Sequence, residues 1–214
     1  EYLEDKYGAD AEIADLPREL GWFLPGFSFR DARDTRYKVV ARTNFDRPIT
    51  GKLSGFREPS SIFSITYGKG SGIIHMLRYL IGEEAFNRVW AKIFKEYRFQ
   101  NINREILQKI CEEESGKDLK WFFDQWVDTH AVCDYAVKAV SGSKITIENR
   151  GGIVMPMDVK VKFADGRESI VSYDGKNSEL EASGAGRIQS VVLDPDGQLL
   201  DIDRSNNAWP RHLN

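Results

Sequence analysis

Residues 119–141 read Leu-Lys-Trp-Phe-Phe-Asp-Gln-Trp-Val-Asp-Thr-His-Ala-Val-Cys-Asp-Tyr-Ala-Val-Lys-Ala-Val-Ser. The apolar period changes inside this stretch. Leu119, Phe122, Phe123, Trp126 and Val127 recur at spacings of three and four, which is one face of a helix. From Asp134 onward the spacing falls to two. Tyr135, Val137 and Ala139 alternate with Ala136, Lys138 and Val140, as on a strand with one buried face. The switch predicts helices before residue 133 and strands after it.

Upstream, the helical signal is strong from Tyr67. Ile73, Ile74, Leu77, Leu80 and Ile81 fall on one face, and Phe86, Val89, Trp90, Ile93, Phe94 and Tyr97 repeat the pattern. A third helix carries Ile106, Leu107, Ile110 and Cys111, with Asn103 as its N-cap, and a fourth starts near Asp118 after Ser115-Gly116. Short connections between them predict a packed helical bundle. Residues 9–62 are broken by Pro17, Pro25, Pro48 and Pro59 and read as loops with one or two short helices. Their charges (Arg30, Asp31, Arg33, Asp34, Arg36) read as a solvated or interfacial surface. The opening Glu1-Tyr2-Leu3-Glu4-Asp5-Lys6-Tyr7-Gly8 looks helical and Gly8 suits its C-terminal cap. No capping residue precedes Glu1, so the chain is expected to begin inside a longer helix.

Downstream, Ile145 and Ile147 alternate with polar neighbours, as do Val159, Val161 and Phe163. Ala164-Asp165-Gly166 then marks a hairpin into Glu168–Ser172. Ile188–Leu193 is a further strand, closed by Asp194-Pro195-Asp196-Gly197. This pattern predicts an antiparallel β-sandwich of about six or seven strands. The expected fold class is α + β in two segregated parts: a helical part over 1–132, then a β-sandwich with a polar C-terminal tail over 133–214.

Charge and composition exclude several function classes. Lys and Arg total 30 against 33 Asp and Glu, so the net charge of -3 gives no electrostatic case for nucleic acid. The most apolar run, 72–82, is short and carries His75 and Arg78, so no membrane insertion is expected in this chain. Two cysteines make no disulfide framework and match no zinc spacing; Cys111, on an apolar helical face, reads as a buried structural thiol. Cysteine usage therefore leaves the compartment open.

Residue types alone carry little chemistry. His75, His130 and His212 are far apart, and none belongs to a His-Glu-x-x-His pattern. Tyr67-Gly68-Lys69-Gly70-Ser71-Gly72 is glycine-rich but does not match the phosphate-loop pattern. His75 reads as a structural histidine, and the helical spacing of Trp121, Phe122 and Trp126 reads as core.

Three ordered motifs add to this. Ile65-Thr66-Tyr67-Gly68-Lys69-Gly70, continuing through Ile74-His75-Met76-Leu77-Arg78, resembles the Tyr-x-Lys-Gly helix start of the aminopeptidase N (gluzincin) family. Gly82-Glu83-Glu84-Ala85-Phe86 is similar to that family's Gly-Asp-Glu-x-Phe step. Ser115-Gly116-Lys117-Asp118-Leu119, leading to Phe122-Phe123-Asp124-Gln125-Trp126, resembles its Ser-Gly-x-Asp-Leu and Phe-Phe-x-x-Trp signature. The likeness is close over about 60–133 and loose in the strands.

The resemblance implies the helical subdomain of a thermolysin-like catalytic domain, in a zinc-dependent aminopeptidase that cleaves peptides at their N-terminus. It assigns Tyr67 the tyrosine that donates a hydrogen bond to the developing oxyanion. A phenol can donate a hydrogen bond without giving up its proton, which suits that task. Lys69 and Gly70 are expected to shape the turn. Zinc would belong to the parent protein, because the family's His-Glu-x-x-His, its third ligand and its Gly-x-Met-Glu-Asn segment are not in this chain. The expected partners are a peptide substrate and the N-terminal part of the same protein, and the fragment alone is expected to be inactive. The alternative from another class is a non-catalytic scaffold or protein-interaction module that keeps the fold without the zinc site.

Overall fold

A computed structural model describes residues 29–211, apart from 44, 57 and 185. The expected helix at Glu1–Gly8, Pro17, Pro25 and His212 lie outside the described residues. The chain divides into two compact units, between Lys117 and Asp118.

The first unit is helical. Helix α1 spans Phe29–Ala41, α2 Pro59–Phe63, α3 Gly70–Ile81, α4 Glu83–Glu96 and α5 Arg104–Ser115. Helix α1 is longer than the short helices expected in this region. Among its residues whose burial is described, Tyr37 and Val40, three apart, are the buried apolar ones, and Asp34 pairs with Lys38 at 3.3 Å, so the apolar stripe is short and interrupted by charge. Asp34 is itself buried, so this part of the charged run is not the solvated surface expected of it. In α3, Ile73, Met76, Leu77 and Ile81 are buried. Gly82 ends this helix with φ +83°, a left-handed value that costs a glycine nothing. Helix α4 buries Ala85, Phe86, Val89 and Ile93, but Phe94 is 71% exposed and leaves the face assigned to it. At the start of α5, Asn103 Oδ1 accepts from the Ile106 N–H at 2.9 Å, the cap read from sequence. Gly116, at φ +68°, closes its other end. Lys92 bridges α4 to Glu113 at 2.8 Å and to Glu114 at 3.2 Å on α5.

The second unit holds helix α6, Lys120–Trp126, with seven strands among the described residues. These are β1 Tyr135–Ser141, β2 Lys144–Asn149, β3 Met157–Phe163, β4 Glu168–Tyr173, β5 Glu179–Glu181, β6 Ile188–Leu193 and β7 Ala208–Trp209. They form two sheets in the orders β1-β2-β5 and β4-β3-β6-β7, with every adjacent pair antiparallel. Alternation is clean in β3, where Met157, Val159, Val161 and Phe163 are buried and their neighbours half-buried. It fails in β1, whose first three residues are all buried, and a register shift against β2 falls between Val137 and Ala139. The Asp165-Gly166 hairpin joins β3 to β4 as read from sequence, with Gly166 at φ +89°.

Helix α6 is locked to the loop before β3 by paired bonds. Gln125 Oε1 accepts from the Val154 N–H at 2.7 Å, and its amide donates to the Val154 carbonyl at 3.4 Å. Trp126 is fully buried, with its indole N–H 3.2 Å from Met155 Sδ. Tyr135 ties the same loop from the other side: its hydroxyl accepts from the Met155 N–H at 3.0 Å and donates to the Gly175 carbonyl at 2.9 Å. Gly175 has φ +80°, and a Cβ there would lie 2.2 Å from the Met155 carbonyl oxygen, so only glycine fits.

Candidate functional site

Tyr67 does not start a helix. It lies inside a continuous one, on a π-helical turn over Ser64–Lys69 that follows α2 and runs into α3. The dihedrals at both ends of the turn are helical (φ -63° and ψ -42° at Phe63, φ -59° and ψ -48° at Gly70). The Gly70 N–H reaches the Ile65 carbonyl, five residues back, as well as the Tyr67 carbonyl. The wide turn inserts a residue into the helical ladder, and such insertions recur at functional positions. Sequence periodicity cannot reveal it, because one extra residue only shifts the phase of the apolar stripe.

The turn has a wet side and a dry side. Tyr67 is 62% exposed, and Phe63 beside it is 61% exposed. Their rings stack with centroids 5.8 Å apart and planes 17° from parallel. Ile65, Gly68 and Lys69 are buried. The Lys69 ammonium lies 5.6 Å from the centroid of the Tyr37 ring on α1. Burial pushes the pKa of Lys69 below the ordinary range for lysine, and the nearby Asp46 carboxylate opposes that shift. Asp46 is buried as well; it accepts from the Tyr37 hydroxyl at 3.2 Å and from the Arg47 N–H at 2.8 Å. Sequence reading gave Lys69 a part in shaping the turn but not its burial or its partners.

The other singled-out residues fall as follows. His75 is half-buried on α3. Cys111 is buried, and its thiol is pushed up to about 12 by burial, as suits an inert structural cysteine. Cys133 is also buried and unbridged. Phe122 and Trp126 are core, while Trp121 is half-buried and helps line an apolar groove of about 550 Å³ with Val154 and Pro156. Among the described residues, no group of three or more His, Cys, Asp or Glu is placed to hold a metal ion. No described helix is long and apolar enough to cross a membrane. Among the described residues, Tyr67 thus presents an exposed phenol on a turn whose other side is buried.

Part of the chain is similar to known proteins. Residues 28–126 match the peptidase family M1 domain. Aminopeptidase N of Lactococcus lactis subsp. lactis is 37% identical over 113 residues, which is 53% of this chain and 12% of that protein. Glutamyl aminopeptidase of Bitis rhinoceros is 39% identical over 80 residues, 37% of this chain and 8% of its own. Aminopeptidase A of Gloydius brevicauda is 26% identical over 163 residues, 71% of this chain and 17% of its own. The chain thus spans less than a fifth of these relatives. The solved structure of Legionella pneumophila aminopeptidase A, in complex with aspartic acid, shares the fold with a TM-score of 0.53. That match has 18% identity and covers 81% of this chain and 22% of the other.

Proposed function

Residues 28–126 belong to the peptidase family M1 domain, and on that premise we propose that the protein carrying this chain is a zinc-dependent aminopeptidase in which Tyr67 stabilises the transition state. The observation that carries the proposal is the 62% exposure of Tyr67 on a helical turn whose other side is buried. When a nucleophile attacks the scissile carbonyl, an electron pair moves onto the carbonyl oxygen. A phenolic O–H aimed there donates a hydrogen bond that strengthens as the charge grows, and it needs no proton transfer. Pre-organisation matters because a donor already in place spends little reorganisation energy at the moment of reaction. The stack on Phe63 restricts the swing of the ring and serves that end.

Zinc belongs to this proposal only through the rest of the protein. The chain contains no His-Glu-x-x-His, its described residues offer no ligand set, and no step here runs through the metal. In this reading residues 1–132 are the C-terminal helical part of a thermolysin-like catalytic domain, and 133–214 are a β-sandwich module. The peptide substrate and a preceding N-terminal part of the same protein are the partners, and the chain alone hydrolyses nothing.

Two experiments test this. In the full-length protein, Tyr67→Phe should lower kcat by about a hundredfold or more while the fold persists; an unchanged rate rejects the oxyanion role. The purified chain should show neither stoichiometric zinc nor aminopeptidase turnover, and finding both would reject its inactivity. A full-length protein without turnover or bound zinc would favour a scaffold that keeps the fold.

A further inference from the structure

Lys69 is completely buried. An ammonium out of water is costly unless its charge is answered, and an apolar side chain of similar volume would serve the core at lower cost. Its surroundings are specific. The Tyr37 ring lies 5.6 Å from Nζ, and the Asp46 charge stabilises the protonated form. The Tyr37 hydroxyl donates to Asp46 Oδ2 at 3.2 Å, so ring and carboxylate form one unit on and just after α1. The π turn packs against that helix.

Lys69 lies two residues after Tyr67. Successive residues of an α-helix turn about 100° about the axis and those of a wider π turn somewhat less, so residues two apart project to roughly opposite sides in either. The exposures agree, at 0% for Lys69 and 62% for Tyr67. A π turn is wider than an α turn and its ladder is locally re-paired, so its rotation is less firmly set by backbone bonds alone. A buried charge is stable at few positions, so it can select one rotation. We propose that Lys69 is a positioning residue: its ammonium, over the ring of Tyr37, whose hydroxyl is bonded to Asp46, fixes the rotation of the π turn and so aims the Tyr67 phenol at the reacting carbonyl. This inference rests on the oxyanion role proposed for Tyr67.

The test is a double-mutant cycle in the full-length protein, with kcat and KM measured separately. Lys69→Met keeps an unbranched apolar stem and removes the charge. It should lower kcat by about tenfold or more with KM little changed, since small misplacements of a catalytic group are costly. In the Tyr67→Phe background the same substitution should change kcat less than about twofold, because there is no phenol left to misaim. If Lys69→Met does not fold, Tyr37→Phe replaces it. That change keeps the ring face, deletes the bond to Asp46, and should give a smaller loss that also disappears in the Tyr67→Phe background. If Tyr67→Phe lowers the rate but the Lys69 or Tyr37 variant costs nothing, or costs as much without the phenol as with it, the Lys69 inference is overturned and the role of Tyr67 stands. If Tyr67→Phe leaves the rate unchanged, both fall.

Discussion

The two units bury polar groups in different ways. In the helical unit, the cluster of Lys69, Tyr37 and Asp46 joins side chain to side chain across the core. In the strand unit, Asp194, Asp201 and Tyr135 direct most of their bonds to backbone, although Asn206 and Asn207 bond carboxylates. Asp201 accepts from the N–H groups of Tyr135 at 3.0 Å and Asp203 at 2.8 Å. Asp194 accepts from the N–H groups of Gln198 at 2.7 Å and Leu199 at 2.9 Å, and its carboxylate meets Arg204 at 2.8 Å. Tyr135 spends its hydroxyl on two backbone groups, whereas Tyr67 holds its ring out at the surface. Backbone-directed bonds close loops that no sheet ladder reaches, which is a structural task. A side-chain cluster beneath one exposed phenol is better suited to aiming it.

If that contrast is right, equivalent deletions in the two units have unlike effects. The largest is at Tyr67. Tyr67→Phe should raise the activation barrier by about 3–4 kcal/mol, yet leave unfolding free energy within about 0.5 kcal/mol, as for other exposed substitutions. A large stability loss would erase the distinction.

Next in size is the pH dependence of the strand unit. Burial raises the Asp201 pKa from 3.8 to about 6, against the hydrogen bonds it accepts. Its contribution is complete below about pH 4 and is lost as pH rises through about 6, because the folded state holds the proton over that window. At about 1.4 kcal/mol per tenfold change, this is about 3 kcal/mol. Asp201→Asn should flatten the fall in stability between pH 4 and pH 7, followed by hydrogen exchange of the β1 amides. Asp194 is raised for the same reason, so part of the slope should remain. An unaltered slope would show that Asp201 does not carry it. Tyr135→Phe comes third. It leaves the Met155 N–H and the Gly175 carbonyl buried without their phenol, and should cost about 2 kcal/mol in denaturant unfolding with no change in kcat. A kcat effect there, without loss of fold, would dissolve the contrast between the two tyrosines.

The helices from α3 onward and the β3–β4 hairpin were legible in sequence, because each buries one clean face or carries a turn glycine. Helix α1 was not, since a sequence as charged as Phe-Arg-Asp-Ala-Arg-Asp-Thr-Arg-Tyr-Lys has little amphipathic signal. The lost alternation in β1 follows from its shifted register, which no local pattern announces. At the candidate site, Tyr67 was found through the ordered motifs and not through physics. The π turn and the burial of Lys69 depend on packing between segments distant in sequence. A lysine among glycines reads as exposed by default, and only its contacts with α1 show otherwise.

The smallest effect probes the contrast from the other direction. Asn103 is a backbone-directed side chain in the helical unit, capping α5 through the Ile106 N–H. It is exposed, so water can replace the bond when the side chain is cut back. Asn103→Ala should cost about 1 kcal/mol, the ordinary value for a lost N-cap. Asn103→Asp keeps the acceptor and places negative charge at the positive end of the helix, so it should match or slightly exceed the parent chain. Thermal unfolding of the three proteins at one pH measures both. Because Tyr135 and Asn103 both satisfy backbone groups and differ in burial, a cost at Asn103 equal to that at Tyr135 would mean that the number of bonds, and not their exclusion from water, sets the energy.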